Sequence, residues 1–209
     1  MDQPRMPSAQ GHHLPPVPKL KDGREPIRDE HGQSCGELVG FWRWAYSQTL
    51  DNTLRGVLAE YLVGLALDVV GDKVRVEWDP FDLTTGDGVH VEVKSTAYLQ
   101  SWVQKSPSIL RFSVSETSAW DSASGAWGTG ARRQSDVYVF CAFMARDPDI
   151  ANPLDTRQWD FYVAPTRRLN EELGNQKSIS LSELLRRVKP VKVVFSELAD
   201  AVREAAAEP

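Results

Sequence analysis

The sequence has no run of eighteen apolar residues and no apolar stretch near its first residue. The first absence argues against a membrane-spanning helix, and the second is untypical of a secretory signal peptide. We therefore expect a cytoplasmic protein without a membrane partner.

Cysteine is scarce, and positive charge is not in excess. Cys35 and Cys141 are far apart and have no Cys or His neighbour at metal-ligand spacing, so we expect both to be reduced and buried. The formal net charge of −5 argues against a protein that simply coats nucleic acid, which needs a basic surface. With 41% hydrophobic and 25% charged residues, the composition is that of a soluble globular protein.

Aromatic residues and hydrophobic periodicity are absent from residues 1–33, which hold six of the thirteen prolines. This composition predicts a disordered tail, in which the neighbouring histidines His12 and His13 are solvated. Residues 34–209 show no internal repeat and predict a single domain.

Two helices are predicted before the most polar part of the chain. From Gly36 to Tyr46, apolar residues recur at steps of three and four, which predicts an amphipathic helix that packs inward. The aromatic residues of this helix could alternatively form a surface on which bases stack.

The second predicted helix begins at Asp51 or Asn52 and ends near Gly71. Its body is almost wholly apolar, so Glu60 stands out, with a glycine one turn before it and another one turn after it. Two interior glycines indicate a helix pressed closely on another element. Arg55 of this helix could contact a phosphate or form an ion pair with Asp51.

Residues 73–95 predict two strands joined by a turn at Gly86-Asp87-Gly88. If the pairing is symmetric about Asp87, Asp82 lies opposite Glu92, and Lys94 shares their face. Carboxylates placed opposite each other destabilise a strand pair, so their proximity indicates a divalent cation. Lys94 would add a positive charge suited to a water nucleophile or a developing phosphate charge.

Asp82, the triplet Glu92-Val93-Lys94 and Glu60 on the preceding helix together resemble the PD-(D/E)XK nuclease superfamily, whose fold is restriction-endonuclease-like. The triplet is the only acid-x-Lys sequence in the chain. Asp79 could take the place of Asp82 in this motif. Alternation along the strand, however, places Asp79 on the opposite face from Glu92.

The resemblance implies an α/β fold with a mixed central β-sheet flanked by helices, and hydrolysis of phosphodiester bonds with Mg²⁺ or Mn²⁺. Asp82 and Glu92 would hold the ion, with the Val93 carbonyl and Glu60 as further ligands. Lys94 would orient the attacking water. DNA is the favoured substrate, and a homodimer is expected because cutting both strands generally needs two active sites.

Four further residues are candidates for contacting the substrate. Ser95 and Gln100 follow the lysine, where members of the superfamily often carry a Ser or Gln. Arg132 and Arg133 end a segment rich in Gly and Ser, which predicts a flexible loop that grips a nucleic-acid strand or else an ordinary surface loop.

Other interpretations remain open from the sequence alone. The hairpin could be a surface element whose Glu92 and Lys94 are merely solvated, and Glu60 could reach solvent or pair with a base. The chain could also be a catalytically inactive nucleic-acid-binding or assembly protein on the same fold, or an α/β module without any nucleic-acid role.

The rest of the sequence predicts the frame of the domain. Residues 136–144 form an apolar run typical of a central buried strand, and strands are also predicted at 109–114 and 159–163. Shorter helices are predicted from Pro165, after the cap Ser180 and from Ser196 to Ala207.

Overall fold

The computed structural model describes residues 18–71, 74–75, 80–118, 120–121, 126–127 and 130–208. The strands are β1 Pro26–Arg28, β2 Ser34–Glu37, β3 Leu83–Thr84, β4 His90–Ala97, β5 Arg111–Ser113, β6 Trp120–Asp121, β7 Ala126–Trp127, β8 Val137–Phe143, β9 Trp159–Pro165, β10 Ser178–Ser180 and β11 Val191–Val193. The α-helices are α1 Leu38–Tyr46, α2 Asn52–Ala66, α3 Thr166–Leu173, α4 Leu181–Arg187 and α5 Leu198–Ala207.

The centre of the fold is a five-stranded sheet in the order β11-β9-β8-β4-β3. Strands β4 and β8 are parallel, and the other neighbours in this sheet are antiparallel. The predicted α/β fold with a mixed central sheet is therefore confirmed.

Each face of this sheet has its own apolar core. Val91, Val93 and Ala97 of β4 pack on one side with residues of α2 and α5. The opposite side packs against β5, β10, α3 and α4. All seven residues of β8 are buried, which confirms the prediction of a central buried strand at 136–144.

Helix α2 begins where predicted but ends earlier. Asp51 is the N-cap and accepts hydrogen bonds from the backbone N–H groups of Thr53 and Leu54. The helix stops at Ala66, because the chain turns back on itself through Asp68, which has a φ of 57°. Gly64 permits this turn, since a Cβ there would lie 2.2 Å from Cγ1 of Val70.

The N-terminal part of the described chain differs from the prediction. Residues 26–28 lie in the predicted disordered tail but form β1, which pairs with β2. The inward packing predicted for the next helix is wrong, because no residue of α1 is buried and Trp44 is 84% exposed. Burial is confirmed for Cys141, whereas Cys35 is exposed, and both thiols are free.

The described part of the first strand of the predicted hairpin is β3, which consists of Leu83 and Thr84. The part of the prediction at residues 73 and 76–79, which includes Asp79, lies outside the described residues. No helix in the described part of the chain is long and apolar enough to span a membrane.

Candidate active site at the open edge of the sheet

The hairpin pairing has the predicted symmetry about Asp87. Leu83 pairs with Val91 and Thr84 with His90, and this register places Asp82 opposite Glu92. The turn is closed by a bond of 2.9 Å from the Thr85 N–H to the Val89 carbonyl. Within the turn, Gly88 adopts a φ of 90°, in the left-handed region that favours glycine.

Asp82 directly precedes β3, and it continues the pairing with β4 through its backbone and its side chain. Its backbone N–H donates to the Val91 carbonyl at 3.1 Å, and its Oδ2 accepts from the Val93 N–H at 2.7 Å. The bonded backbone groups of Val91 and Val93 therefore point to this side of β4. Because the N–H and C=O of one strand residue point the same way, the Val93 carbonyl points to this side too.

Among the described residues, no strand pairs with this edge of β4 beyond Val91, and we call it the open edge. The described strands pair with β4 on this side only at His90 and Val91, whereas β8 pairs with its other side from Val91 to Ala97. The edge therefore presents the Asp82 carboxylate and the Val93 carbonyl together, which are oxygen atoms of the kind that hard cations bind.

Glu92 and Lys94 meet on the face that β4 shares with Tyr138 and Phe140 of the neighbouring strand. The Lys94 Nζ donates to Oε1 of Glu92. The Glu92 side chain is 17% exposed and that of Lys94 is 29% exposed, so neither is merely a solvated surface group.

Glu60 has a cationic partner of its own. The Arg75 guanidinium donates to both Glu60 carboxylate oxygens, with an Nη2 to Oε1 distance of 2.9 Å, and the Glu60 side chain is 15% exposed. The interpretation that Glu60 pairs with a base is therefore what the structure shows. Glu60 nevertheless stays close enough to Asp82 for its charge to act on that residue.

The charges of a cluster formed by Asp82, Glu92, Lys94 and Glu60 alter the pKa of Asp82. Burial, followed by the negative charges of Glu92 and Glu60, raises the pKa of Asp82 from 3.8 to about 7. The Val93 N–H and the Lys94 charge oppose this rise. The cluster therefore holds more negative charge than its own cations balance.

These residues fit the chemistry of a hard divalent cation only in part. In the described part of the chain, no group of three or more His, Cys, Asp or Glu side chains is arranged to hold a metal ion. Mg²⁺, however, is usually bound through one or two carboxylates, with waters and substrate phosphates completing its coordination. Asp82, Glu92 and the Val93 carbonyl provide such a donor set.

Three of the predicted substrate residues share one pocket at the C-terminal end of β4. Arg55, Ser95 and Gln100 line an open pocket of about 360 Å³. Arg55 is only 4% exposed, and it donates to the Leu50 carbonyl and to Oδ1 of Asn52. Burial lowers the pKa of the Arg55 guanidinium, which the nearby charge of Asp51 opposes.

The structure separates the two arginines predicted to grip a strand. Arg133 is 5% exposed and donates to the Val114 carbonyl, Oδ1 of Asn170 and the Gly174 carbonyl. It joins three segments of the fold and does not tip a flexible loop. Arg132 is exposed: its backbone pairs with Thr117, and its Nε donates to Oε1 of Gln134 at 3.0 Å.

Sequence reasoning missed two groups beside the site. The first is His90, whose ring stacks on Phe81 at 3.8 Å and whose backbone N–H donates to Asp136 at 2.8 Å. His90 precedes Glu92 by two residues, so alternation along the strand predicts that both side chains lie on the same face. The second is the remaining lining of the pocket, which includes Trp102 and Arg111. Arg111 is distant in sequence and comes close because its N–H donates to Oγ1 of Thr96 at 3.1 Å.

Comparison with protein-family models and with curated proteins found no match for this chain. The functional interpretation therefore depends on the geometry of the site.

Proposed function

We propose that this protein is a metal-dependent nuclease that hydrolyses phosphodiester bonds, with DNA as the favoured substrate. The observation that carries the proposal is that Glu92 and Lys94 form an ion pair on β4 and that the charges of both act on Asp82. In the part of the chain that the structure describes, β3 pairs with the open edge of β4 only at His90 and Val91, which supports the approach of a nucleic-acid strand there.

The order of elements supports a restriction-endonuclease-like core. Glu60 lies on the helix that precedes the hairpin, Asp82 lies at the start of β3, and Glu92-Val93-Lys94 lies within β4 on a mixed sheet. This is the arrangement expected from the resemblance to the PD-(D/E)XK superfamily, and we propose that the chain shares that architecture.

In the proposed reaction, Asp82, Glu92 and the Val93 carbonyl would hold Mg²⁺ or Mn²⁺, and Glu60 would act directly or through water. The ion supplies a water molecule of lowered pKa and neutralises charge on the phosphate. Lys94 donates a hydrogen bond to the attacking water or to a phosphate oxygen, which stabilises the charge that develops in the transition state.

Several contacts hold these groups in place before substrate arrives. The Val93 N–H fixes the Asp82 carboxylate at the edge of the sheet. Glu92 holds the Lys94 amine on the same face, and Arg75 holds Glu60. Such preorganisation lets charged groups stabilise a transition state without first reorienting.

The test is a cleavage assay on single-stranded DNA, duplex DNA and RNA with Mg²⁺ or Mn²⁺. We expect cleavage by the wild type, and a loss of about 100-fold or more in Glu92→Ala and Lys94→Ala. Arg203→Ala is the matched control, because Arg203 is an exposed cation that pairs with Asp200 on α5. Equal cleavage by Lys94→Ala and the wild type, with both proteins folded, would refute the proposed role of Lys94.

The products of duplex cleavage also test the proposed homodimer. A single active site per chain cuts one strand, so a dimer should convert circular duplex DNA directly to the linear form. Accumulation of nicked circles at all protein concentrations would contradict dimeric action.

A second function has one specific observation in its favour. Glu92 and Glu60 are each neutralised by a cation of the protein itself, Lys94 and Arg75. This pattern fits a nucleic-acid-binding protein on the same fold whose site does not catalyse. A wild type that binds DNA, shows no cleavage and is not stabilised by Mg²⁺ or Mn²⁺ would favour that function.

A further inference from the structure

The pocket at the C-terminal end of β4 contains both orphaned polar atoms of the described chain. Among the described residues, the buried side-chain nitrogen and oxygen atoms without a hydrogen-bond partner are Nε of Arg55 and Oε1 of Gln100. Both residues line this pocket. A buried polar atom without a partner is costly, so two of them at one pocket indicate a ligand that bonds to both.

The neighbouring contacts fix what each orphaned atom can accept or donate. Arg55 is 96% buried, and its two terminal nitrogens are already bound to Leu50 and Asn52, which leaves the Nε–H as a donor. Gln100 donates its Nε2 to the Ala97 carbonyl at 3.0 Å, which leaves Oε1 as an acceptor. The ligand must therefore offer an acceptor to Arg55 and a donor to Gln100.

The outer part of the pocket adds a flat apolar surface and a positive charge. Trp102 is 56% exposed at the pocket, and an exposed indole is a platform on which a base can stack. Arg111 is exposed and lies beside Thr96. Aromatic stacking surfaces combined with arginines are typical of sites for single-stranded nucleic acid.

The position of the pocket connects it to the proposed active site. Ser95 and Thr96 lie on opposite faces of β4, and both line the pocket, so the pocket wraps around the open edge of the strand. The same edge carries Asp82 and the Val93 carbonyl. Ser95 directly follows Lys94 in β4, so the lining of the pocket begins one residue along the strand from the proposed catalytic lysine.

We propose that this pocket binds one unpaired nucleotide of the substrate strand, next to the phosphodiester bond that is cleaved. A phosphate or carbonyl oxygen accepts from Arg55, an amino or hydroxyl group donates to Gln100, and the base stacks on Trp102. A base that stacks on Trp102 has left the stack of a duplex, so the substrate is single-stranded or locally unpaired there. The inference rests on the proposed function for its substrate, but binding can be measured without cleavage.

The experiment measures binding of the full chain to a short fluorescent single-stranded DNA by anisotropy, in EDTA so that no cleavage occurs. The same sequence as a blunt duplex is the comparison ligand. We expect the single strand to bind more tightly, and we expect Trp102→Ala to weaken single-strand binding between about 5-fold and about 150-fold. Gln100→Met, which removes the acceptor and keeps the length of the side chain, should also weaken it.

Two variants control for location and charge. Trp44→Ala removes a tryptophan on α1 that is 84% exposed, and it should leave single-strand binding unchanged. Arg203→Ala removes an exposed cation on α5 and should also leave binding unchanged. A loss in Trp44→Ala without a loss in Trp102→Ala would place the stacking surface on α1 and overturn the proposal.

The outcomes separate this proposal from the proposed function. Single-strand binding that depends on Trp102 and Gln100 and persists in Lys94→Ala supports the pocket, even if the wild type fails to cleave. Cleavage without any preference for single strands, unaffected by Trp102→Ala, supports the nuclease and overturns the pocket. Absence of single-strand binding by the folded wild type also overturns it.

Discussion

At the scale of single residues, the charge on Asp82 governs the site. Folding raises the pKa of Asp82 to about 7, chiefly through burial and then through Glu92 and Glu60. In the metal-free protein the folded state therefore holds the proton through a pH range in which the unfolded chain has released it. This contribution makes the free energy of unfolding fall as pH rises from about 4 to about 7, with no further change above.

Asp82→Asn should therefore stabilise the metal-free protein at pH 8 and change its stability little at pH 4. The Asn oxygen can still accept from the Val93 N–H, while the buried charge is gone. The rise in pKa from 3.8 to about 7 sets an upper limit of about 4 kcal/mol on the gain. Urea denaturation in EDTA at both pH values measures it, and an equal effect at pH 4 and pH 8 would contradict the assigned cause.

The neighbouring arginines Arg132 and Arg133 should respond differently to truncation. Arg133→Ala removes three hydrogen bonds from a buried guanidinium and should lower the free energy of unfolding by about 2–4 kcal/mol. Arg132→Ala removes an exposed side chain and should change it by less than about 0.5 kcal/mol. Thermal denaturation of both variants tests this, and equal melting temperatures would contradict the structural role of Arg133.

The two faces of the hairpin could be predicted from alternation alone. The register about Asp87 and the shared face of Glu92 and Lys94 follow from the period of two in a strand. The partner of Glu60 could not be found in this way, because alternation assigns Arg75 to one face of a predicted strand but does not reveal which helix residue that face meets. The burial of Arg133 depends on carbonyl groups from distant segments, which no local pattern reveals.

At the scale of elements, the sequence predicts that both glycines of α2 lie where the helix is pressed closely on another element. The two glycines flank Glu60 at steps of four, but only Gly64 meets another segment. The close approach is to Val70 in the chain that leaves the helix, as well as to Leu83. Contact with the sheet was predicted, whereas the reversal of the chain that ends α2 was not.

Gly64→Ala and Gly56→Ala form a matched pair on this helix. The added Cβ at Gly64 would lie 2.2 Å from Val70, so we expect a loss of about 1–3 kcal/mol in the free energy of unfolding. At Gly56 the added Cβ has no neighbour within 4 Å, so the higher helix propensity of alanine should add up to about 1 kcal/mol. Chemical denaturation measures both, and changes of the same sign would contradict the account of α2.

Helix α1 shows that hydrophobic periodicity predicts a helix but not the burial of its apolar face. The spacing of its apolar residues predicts a helix, and the helix is there. Periodicity cannot say whether a second surface covers the apolar stripe, and Phe41, Trp44 and Tyr46 are largely exposed. The apolar run of β8, by contrast, has no polar face, which is typical of a buried strand, and the structure confirms it.

At the scale of the whole molecule, the sheet explains both stability and access. Strand β8 lies between β4 and β9, with an apolar core on each side. Strand β4 pairs with β8 along one edge, and on its other edge the described strands pair with it only at His90 and Val91. The two apolar cores therefore hold β4, which carries Glu92 and Lys94, in place beside Asp82.

The most direct test is a calorimetric titration of the apo protein with Mn²⁺. We predict one ion bound per chain, with affinity reduced at least about tenfold in Asp82→Asn and in Glu92→Gln because each removes a charged oxygen ligand. Asp200→Asn is the matched control, since Asp200 is an exposed acid on α5 that pairs with Arg203, and it should bind as the wild type does. Binding of equal strength in all four proteins, or no binding by the folded wild type, would contradict a shared metal site at Asp82 and Glu92.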